Sequence, residues 1–166
     1  MIGGDGGHRK KVSVIGAVSV SPVTRRPGLY FSTLPDGFFT AEAVVKFLRD
    51  LLGHLRGKVV VLWDGGGNHK GPLMRAFLSR NKRLRLERLP AYAPELNPVE
   101  AVWSWLKYGR LANYVPDEMT DLDDEVIDQL SELKGEPDLL RKLWAASDLP
   151  FPQMGRRKQG SLPADQ

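Results

Sequence analysis

Alternating apolar and polar stretches divide the 166 residues into a series of predicted strands and helices. Two runs rich in valine or aromatic residues open the series, at residues 11–20 (KVSVIGAVSV) and 29–34 (LYFSTL), with a proline-containing turn between them. Short apolar runs bounded by turn residues are typical of strands. The first run is apolar on both faces, so it predicts a strand that is buried in a sheet.

A helix and two further strands are predicted next, with a second helix between those strands. Thr40 can cap the first helix, and apolar residues recur behind it at helical spacing: Val44, Phe47, Leu48, Leu51, Leu52 and Leu55. Residues 58–63 (KVVVLW) contain an unbroken apolar run, which predicts a parallel strand covered on both faces. Gly71-Pro72 marks the start of the second helix, and residues 83–89 alternate like a half-exposed strand.

Three amphipathic patterns complete the chain. They predict a helix from residue 98 to about residue 107, an acidic helix over residues 122–133 and a short helix over residues 139–144. The order of strands and helices predicts an α/β fold with a mixed sheet and helices on both faces. We expect one folded domain over residues 11–147, between a disordered stretch at 1–10 and a disordered tail at 148–166.

Composition and net charge favour some classes of function and exclude others. The net charge of +4 and the sequence pI of 9.4 suit a polyanionic partner. The absence of cysteine excludes a disulfide scaffold, a thiolate metal site and a cysteine nucleophile. No apolar run approaches the ~18 residues that span a bilayer, and the first residues do not form a signal-peptide pattern. We therefore predict a cytoplasmic protein without a membrane partner.

The first segment with candidate chemistry follows the strand at residues 58–63. Asp64 stands at the carboxyl end of that strand, where open α/β sheets place their ligands. Three glycines follow it and allow backbone or substrate to approach closely. An acid at this position also occurs simply as a strand end or a helix cap, so Asp64 alone does not decide between these interpretations.

The second segment is a proline-rich loop that leads into a helix. Asn97 is predicted as the N-cap, Pro98 as the first helical residue and Glu100 as the third. Glu100, Ser104 and Lys107 then share one face of the helix. A carboxylate and a lysine on the same helix face can both contact a metal-bound phosphate. The alternative is a capping box, in which the Glu100 carboxylate bonds back to the Asn97 N–H.

Together, the two segments resemble the second and third acid motifs of DDE transposases in the mariner-like insertion-sequence superfamily. In that family, an aspartate ends a strand and is followed by a histidine, and a glutamate lies in a block that leads into a tryptophan-bearing helix. Thirty-five residues separate the two acids here, and the resemblance covers residues 11–113. The matching positions are Asp64, His69, Tyr92, Pro94, Asn97, Pro98, Glu100 and Trp103.

The resemblance implies an RNase H-like fold and a two-metal site for Mg²⁺ or Mn²⁺. Hard cations prefer carboxylate oxygens, and two of them ~3.5–4 Å apart can assist an in-line displacement at phosphorus. We expect Asp64 and Glu100 to be the catalytic metal ligands, with Asp64 bridging both ions. His69, Asn97 and Lys107 are expected to support the site, with Asn97 also serving as the helix cap.

DNA is the partner that the resemblance implies, with cleavage of an element end followed by strand transfer. The family also implies action as a homo-oligomer on DNA. Four basic residues around the fourth strand are expected to cluster near the proposed site and are candidates for phosphate contacts, although a charged edge strand explains them equally well. They are Arg80, Lys82, Arg83 and Arg85.

The chain departs from the family pattern upstream of residue 11. The family's first catalytic aspartate lies on a central first strand, and Asp5, in a glycine-rich stretch, does not match it. We therefore expect the isolated chain to be inactive, as either a decayed fragment or the second half of a split reading frame. A polypeptide from an upstream frame is then a further candidate partner.

Two other functions remain open at this stage. The first is a non-enzymatic transposase remnant that binds nucleic acid or a partner transposase through basic residues. The second is a phosphatase-like hydrolase that uses Asp64 as a nucleophile and does not need Glu100. The block from Tyr92 to Glu100 argues against the second function.

Overall fold

A computed structural model describes residues 11–64 and 71–152. The elements follow the order that the sequence predicts. A 3-10 turn at Pro94–Leu96 precedes α3, and a π-helical segment at Trp105–Arg110 follows it. The elements are β1 (Val12–Val20), β2 (Pro27–Pro35), α1 (Ala41–His54), β3 (Val59–Trp63), α2 (Pro72–Arg80), β4 (Leu84–Arg88), α3 (Pro98–Ser104), α4 (Met119–Lys134) and α5 (Pro137–Ala145).

The four described strands form two separate pairs. β1 runs antiparallel to β2, with Val12 opposite Pro35. β3 runs parallel to β4, with Val59 aligned with Leu84. Across residues 11–64 and 71–152, no strand joins the two pairs into one sheet.

One hydrophobic core lies between the strands and the helices α1 and α2. Thr40 caps α1, since its hydroxyl accepts a hydrogen bond of 3.3 Å from the Ala43 N–H. The buried face of α1 consists of Val44, Val45, Leu48, Leu51 and Leu52. Side chains from both strand pairs contribute to this core, namely Ile15, Ala17, Tyr30, Val59, Val61, Trp63, Leu84 and Leu86. The two pairs therefore belong to one layer.

A second core covers the other face of the β1–β2 pair. α3, the π-helical segment, α4 and α5 provide its buried residues, which include Val102, Leu106, Leu130 and Leu140. Val14 and Val18 of β1 point into this second core, whereas its alternate residues Ile15 and Ala17 point into the first core. The predicted arrangement of helices on both faces is thus confirmed at β1.

The exposure of β3 differs from the sequence prediction. Alternate residues of this strand pack toward α1, but Val60 and Leu62 on the opposite face are 59% and 43% exposed. The prediction that β3 is covered on both faces is therefore wrong for the described chain. Among the described residues, helices cover only the face of β3 that points toward α1. The helices α3, α4 and α5 pack against the β1–β2 pair instead.

A close contact between β1 and α3 fixes the position of the second motif. The Trp103 ring lies over Gly16, where an added Cβ would come within 2.6 Å of the ring. Only a residue without a side chain permits this approach. Trp103 packs against the second core and anchors α3 on the middle of β1.

Replacing Gly16 by alanine is expected to destabilise the fold by about 1–3 kcal/mol, because the added methyl group overpacks the Trp103 ring. Urea denaturation followed by Trp fluorescence measures the change. The double variant Gly16→Ala with Trp103→Leu should recover part of the loss, because the smaller side chain makes room for the methyl group. Gly53→Ala is the matched control, because nothing lies within 4 Å of a Cβ at that position.

The described chain continues beyond the predicted end of the domain. The Asp148 N–H donates to the Glu95 carbonyl at 2.7 Å. The Trp144 indole donates to the Leu149 carbonyl at 2.9 Å, and the Phe151 ring packs edge-on against Trp144. Asp148, Leu149 and Phe151 of the predicted tail therefore contact the folded part of the chain, while residues 1–10 and 153–166 lie outside the described residues. No described helix is long and apolar enough to cross a membrane.

Candidate active site

Asp64 immediately follows the last residue of β3. The parallel pairing continues to that end of the strand, because the Leu89 N–H donates to the Trp63 carbonyl at 2.8 Å. Trp63 is aligned with Arg88 in the same register. The carboxyl ends of β3 and β4 are thus held together, and they fix the backbone that carries the Asp64 carboxylate.

Glu100 lies in the first turn of α3. Asn97 follows the 3-10 turn, and its side chain caps α3 by accepting a hydrogen bond of 3.4 Å from the Val99 N–H. Pro98 occupies the first helical position and is buried, as expected for a residue without an N–H at this site. The prediction that Asn97 is the cap is confirmed.

The capping-box alternative for Glu100 does not match the backbone. A capping box requires the glutamate carboxylate to accept a hydrogen bond from the N–H of the cap residue. Here the Asn97 N–H donates to the Pro94 carbonyl at 2.9 Å instead. The Glu100 carboxylate therefore does not form a capping box with Asn97.

Glu100 and Asp64 both line a small cavity of about 140 Å³. Its other lining residues come from the chain after β4 and from the proline-rich loop: Leu89, Pro90, Tyr92, Ala93, Pro94 and Asn97. The structure therefore brings together the two acids that 35 intervening residues separate in the sequence.

The electrostatics of the cavity show that the two carboxyl groups interact. Partial burial of the Glu100 carboxyl raises its pKa above the usual value, and the negative charge of Asp64 raises the pKa further. Repulsion between like charges favours the protonated form of the more desolvated acid. A cation bound between the two groups would offset this repulsion.

Replacing Asp64 by asparagine is expected to lower the pKa of Glu100, because the neighbouring negative charge is removed. The pKa should stay above the usual value for glutamate, since burial is the larger cause of the shift. NMR titration of the Glu100 side chain without divalent cations measures both effects. Asp50→Asn is the control and should leave the Glu100 pKa unchanged; an equal response to both substitutions would show that Asp64 and Glu100 do not interact.

The chemistry of the cavity fits a hard divalent cation. Asp64 and Glu100 offer carboxylate oxygens, the ligands that Mg²⁺ and Mn²⁺ prefer. Two acids are fewer than a stable pair of ions requires. Across residues 11–64 and 71–152, no cluster of three or more Asp, Glu, His or Cys side chains could hold a metal ion.

The predicted supporting residues have different locations. His69 lies outside the described residues. Lys107 lies in the π-helical segment after α3, where its side chain is exposed and its ammonium stands 5.2 Å from the centre of the Tyr108 ring. The sequence predicts a regular helix to about residue 107, whereas α3 ends at Ser104 and a wider π-helical turn follows. The supporting role of Lys107 stays a prediction.

The four predicted DNA-binding residues begin at the other end of the strand pair from Asp64. Arg80, Lys82 and Arg83 precede β4, whose first residue is aligned with the start of β3, about 13 Å from the carboxyl end of that strand. The expectation that this group lies beside the two acids is therefore corrected. Parallel pairing puts the start of β4 beside the start of β3 and not beside Asp64.

Arg83 and Arg85 also have partners within the protein. The Arg83 guanidinium donates to the carbonyl oxygens of Leu52, Leu55 and Gly57. It thereby binds the C-terminal end of α1, where a positive charge is favourable. Arg85 forms an exposed ion pair with Glu87. Phosphate contacts by these residues stay a prediction.

Two residues at or after the carboxyl end of β4 were not predicted as site residues. Arg88 is the last residue of β4, is exposed and is aligned with Trp63. Tyr92 lines the cavity, its side chain is fully exposed, and its backbone has a φ of 59°. A left-handed backbone is uncommon for a residue with a large side chain. The parallel register that identifies Arg88 is not visible in the sequence.

The comparison with protein-family models identifies the class. The model described as "DDE superfamily endonuclease" matches residues 4–122. The chain belongs to this family, and the predicted membership of the DDE class is confirmed. No curated protein sequence matches the chain significantly.

Solved structures of Mos1 transposase have a similar fold. The Mos1 mariner catalytic domain shares 18% identity, with 81% of this chain and 74% of that chain covered and a TM-score of 0.56. The same domain with raltegravir and Mg shares 16% identity over 81% and 79% of the two chains, with a TM-score of 0.53. The Mos1 paired end complex with Mn shares 17% identity over 89% and 47%, with a TM-score of 0.60. The fold is therefore RNase H-like, as predicted.

Proposed function

We propose that this chain is the catalytic-domain part of a mariner-like transposase that cuts DNA strands and joins them to new sites. Asp64 and Glu100 would hold the divalent cations, and a further acidic ligand from outside the described residues would complete the site. Similar folds in Mos1 structures with Mg and with Mn support the choice of metal. The Mos1 mariner paired end complex supports DNA as the substrate.

One observation carries the proposal. Asp64 and Glu100 line one cavity, and the charge of Asp64 contributes to the raised pKa of Glu100. Neighbouring carboxylates repel each other when no cation lies between them. A site lined by both acids suits the binding of divalent ions.

The protein's residues would position the DNA strand at this cavity. Divalent cations bound there would supply stabilisation of the charge that develops on the attacked phosphate. Asp64 ends a strand held in a parallel pair, and Glu100 begins a helix anchored by Trp103, so both carboxylates stand on rigid elements. Attack by water would release a 3′-hydroxyl, and attack by that hydroxyl would join the strand to target DNA.

A nicking assay tests the proposed function. The chain, supplied with the polypeptide encoded upstream, is incubated with supercoiled plasmid DNA in Mg²⁺, Mn²⁺ or EDTA. We expect open-circular plasmid with either metal and none in EDTA. Cleavage that persists in EDTA, or DNA binding without cleavage in both metals, would contradict the proposal.

A second function is favoured by one observation, the absence of a third ligand near Asp64 and Glu100 among the described residues. In that case the chain would be a non-enzymatic transposase remnant that binds nucleic acid or a partner transposase. The same assay separates the two functions, because a remnant shifts plasmid DNA in a gel but never nicks it.

A further inference from the structure

We propose that Tyr108 binds an unpaired base of the DNA strand whose phosphate is held between Asp64 and Glu100. The Tyr108 ring would stack on one face of that base, and the Lys107 ammonium would lie beside a neighbouring phosphate. The inference rests on the proposed function and deepens it, because it names a residue that positions the substrate and the state of the DNA that the site accepts.

Burial along α3 and the π-helical segment separates two rows of residues. The buried residues recur every four positions: Pro98, Val102 and Leu106. A second row, which we call the accessible row, also recurs every four positions and is accessible to solvent: Glu100, Ser104 and Tyr108. Residues two positions apart fall on opposite sides of a helix, so the accessible row lies opposite the buried one. It leads from the cavity at Glu100 to Tyr108.

The π-helical segment brings Tyr108 into the accessible row. In a regular helix, Lys107 would share the face of Glu100, because it lies seven positions further on. The structure instead forms an i→i+5 bond, in which the Leu111 N–H donates to the Leu106 carbonyl at 2.9 Å. Such a turn contains one extra residue. Tyr108 therefore takes the place that Lys107 would have in a regular helix.

Tyr108 is close enough to the cavity for one DNA strand to reach both. It lies eight residues after Glu100, which corresponds to about 12 Å along a helix axis. Long side chains on a helix lean toward its N-terminus, which here is the end at Glu100. Stacked nucleotides advance by about 3.4 Å along a strand. The base on Tyr108 would thus lie within about three or four nucleotides of the phosphate at the two acids.

The ring of Tyr108 is open to a ligand. The residue is 70% exposed. Gly109 follows it without a side chain, and nothing lies within 4 Å of a Cβ at that position. The Lys107 ammonium stands 5.2 Å from the ring centre, and a single ammonium covers at most one face of the ring. The other face can therefore accept a base, since bases stack on aromatic side chains of any exposed platform.

The charge beside Tyr108 suits a phosphate backbone. Among the residues that the structure describes, Lys107 forms no ion pair. Arg110 is instead held by Glu132, at 3.1 Å, and its guanidinium lies 5.1 Å from the centre of the Trp105 ring. Lys107 is therefore the cation that can contact DNA next to the ring. An aromatic platform beside a basic residue is the usual way in which proteins bind single strands.

Stacking on Tyr108 requires a base with a free face. Inside a continuous duplex, the neighbouring base pairs cover both faces of each base. Proteins accordingly stack aromatic side chains on bases that are unpaired, splayed out or at a strand end. The Tyr108 site therefore fits a single-stranded or frayed segment of DNA and not an uninterrupted duplex.

Anisotropy titrations test the proposal. A fluorescein-labelled single strand is titrated with the full chain in EDTA, so that no cleavage occurs. Tyr108→Ala should bind it about tenfold more weakly than the wild type, because the stacked base is lost. Tyr108→Phe should bind it like the wild type, because the ring is retained. Competition by relaxed plasmid, which offers no strand end, should be the same for all three chains.

Phe38→Ala is the matched control. Phe38 is 77% exposed, and the Lys11 ammonium stands 4.3 Å from its ring centre, so it presents the same kind of surface outside the accessible row. The substitution should leave the affinity for the single strand unchanged. Lys107→Ala should lower the slope of log affinity against log salt by about 0.7, since one phosphate contact is lost. Tyr108→Ala should leave this slope unchanged.

Four results would overturn the proposal. The first is no binding of the single strand by the wild type, and the second is wild-type affinity in Tyr108→Ala. The third is an equal loss of affinity in Phe38→Ala. The fourth is an equal loss in Tyr108→Phe, which would assign the effect to the hydroxyl group and not to the ring. Substitutions at exposed positions such as Tyr108 leave the fold largely unchanged, and circular dichroism of each variant checks this.

Photocrosslinking identifies the contact itself. Single strands that carry 5-iodouracil are irradiated with the full chain, and the peptides that gain an adduct are identified by mass spectrometry. We expect the adduct on Tyr108. Adducts confined to other segments of the chain would overturn the base site.

These binding measurements need no metal, so they separate this inference from the proposed function. Loss of single-strand binding in Tyr108→Ala, with no nicking by the wild type in Mg²⁺ or Mn²⁺, would contradict the proposed function and leave the base site standing. Unchanged binding in Tyr108→Ala, with metal-dependent nicking that needs Asp64, would overturn the base site and leave the proposed function standing.

Discussion

Replacing Asp64 by asparagine is expected to abolish metal-dependent DNA nicking by the chain supplied with the polypeptide encoded upstream. Asparagine has nearly the same shape as aspartate, so the fold should be retained while the negative charge is lost. Metal coordination at a reacting phosphate contributes several kcal/mol to catalysis. The nicking rate should therefore fall by about a thousandfold or more, measured as the rate of conversion of supercoiled to open-circular plasmid.

Matched substitutions show whether this effect belongs to the site. Glu100→Gln should reduce nicking to a similar extent, because it removes the second charge from the same cavity. Asp50→Asn and Glu95→Gln are the controls. Asp50 forms an exposed ion pair with Lys46 on α1, and the Glu95 side chain does not line the cavity. Normal activity in Asp64→Asn would remove Asp64 from the catalytic site.

Replacing Leu130 by alanine is expected to cost about 2–5 kcal/mol of unfolding free energy. Leu130 lies in the middle of α4, is fully buried, and belongs to the core that joins α4 to β2 and α3. The truncation removes buried methyl groups and leaves a cavity, since the helices around it cannot fully close. Urea denaturation monitored by circular dichroism gives the change in unfolding free energy.

The neighbouring residue provides the control for this substitution. Ser131 is exposed on the same helix, and Ser131→Ala should change the free energy of unfolding by less than about 0.5 kcal/mol. If Leu130→Ala were as mild as Ser131→Ala, the α4 packing described above would be incorrect. A large effect of both substitutions would indicate that helix propensity and not core packing controls the stability of α4.

Local patterns were sufficient to predict the elements. The spacing of Val44, Leu48 and Leu51 places apolar residues on one face of a helix, and α1 has that face buried. The Asn97-Pro98 pair predicts the start of α3, and the structure begins the helix there. These features depend on residues within a few positions of each other, so the sequence alone contains the necessary information.

Features that depend on distant partners were predicted less well. The burial of β3 was overestimated, because an apolar run does not show whether a helix packs on the second face of the strand. The basic residues before β4 were expected near Asp64, but the parallel register places Arg80 and Lys82 at the opposite end. The change from α-helix to π-helix after Ser104 likewise has no local signal in the sequence.

The candidate site combines both kinds of information. The resemblance to the family identified Asp64 and Glu100 as candidate metal ligands, and the structure places both residues at one cavity. The capping-box alternative for Glu100 was weakened by the backbone bond from the Asn97 N–H to the Pro94 carbonyl, which only coordinates could show. The roles of both acids in metal binding stay predictions.

Iron-mediated backbone cleavage tests most directly whether Asp64 and Glu100 bind one divalent cation together. Fe²⁺ in place of Mg²⁺, with ascorbate and peroxide, generates radicals that cut the nearest peptide backbone. We expect two sets of cuts, around Asp64 and around Glu100, both suppressed by excess Mg²⁺ and both lost in Glu100→Gln. Cuts at only one of the two segments, or cuts that Mg²⁺ does not suppress, would contradict the account.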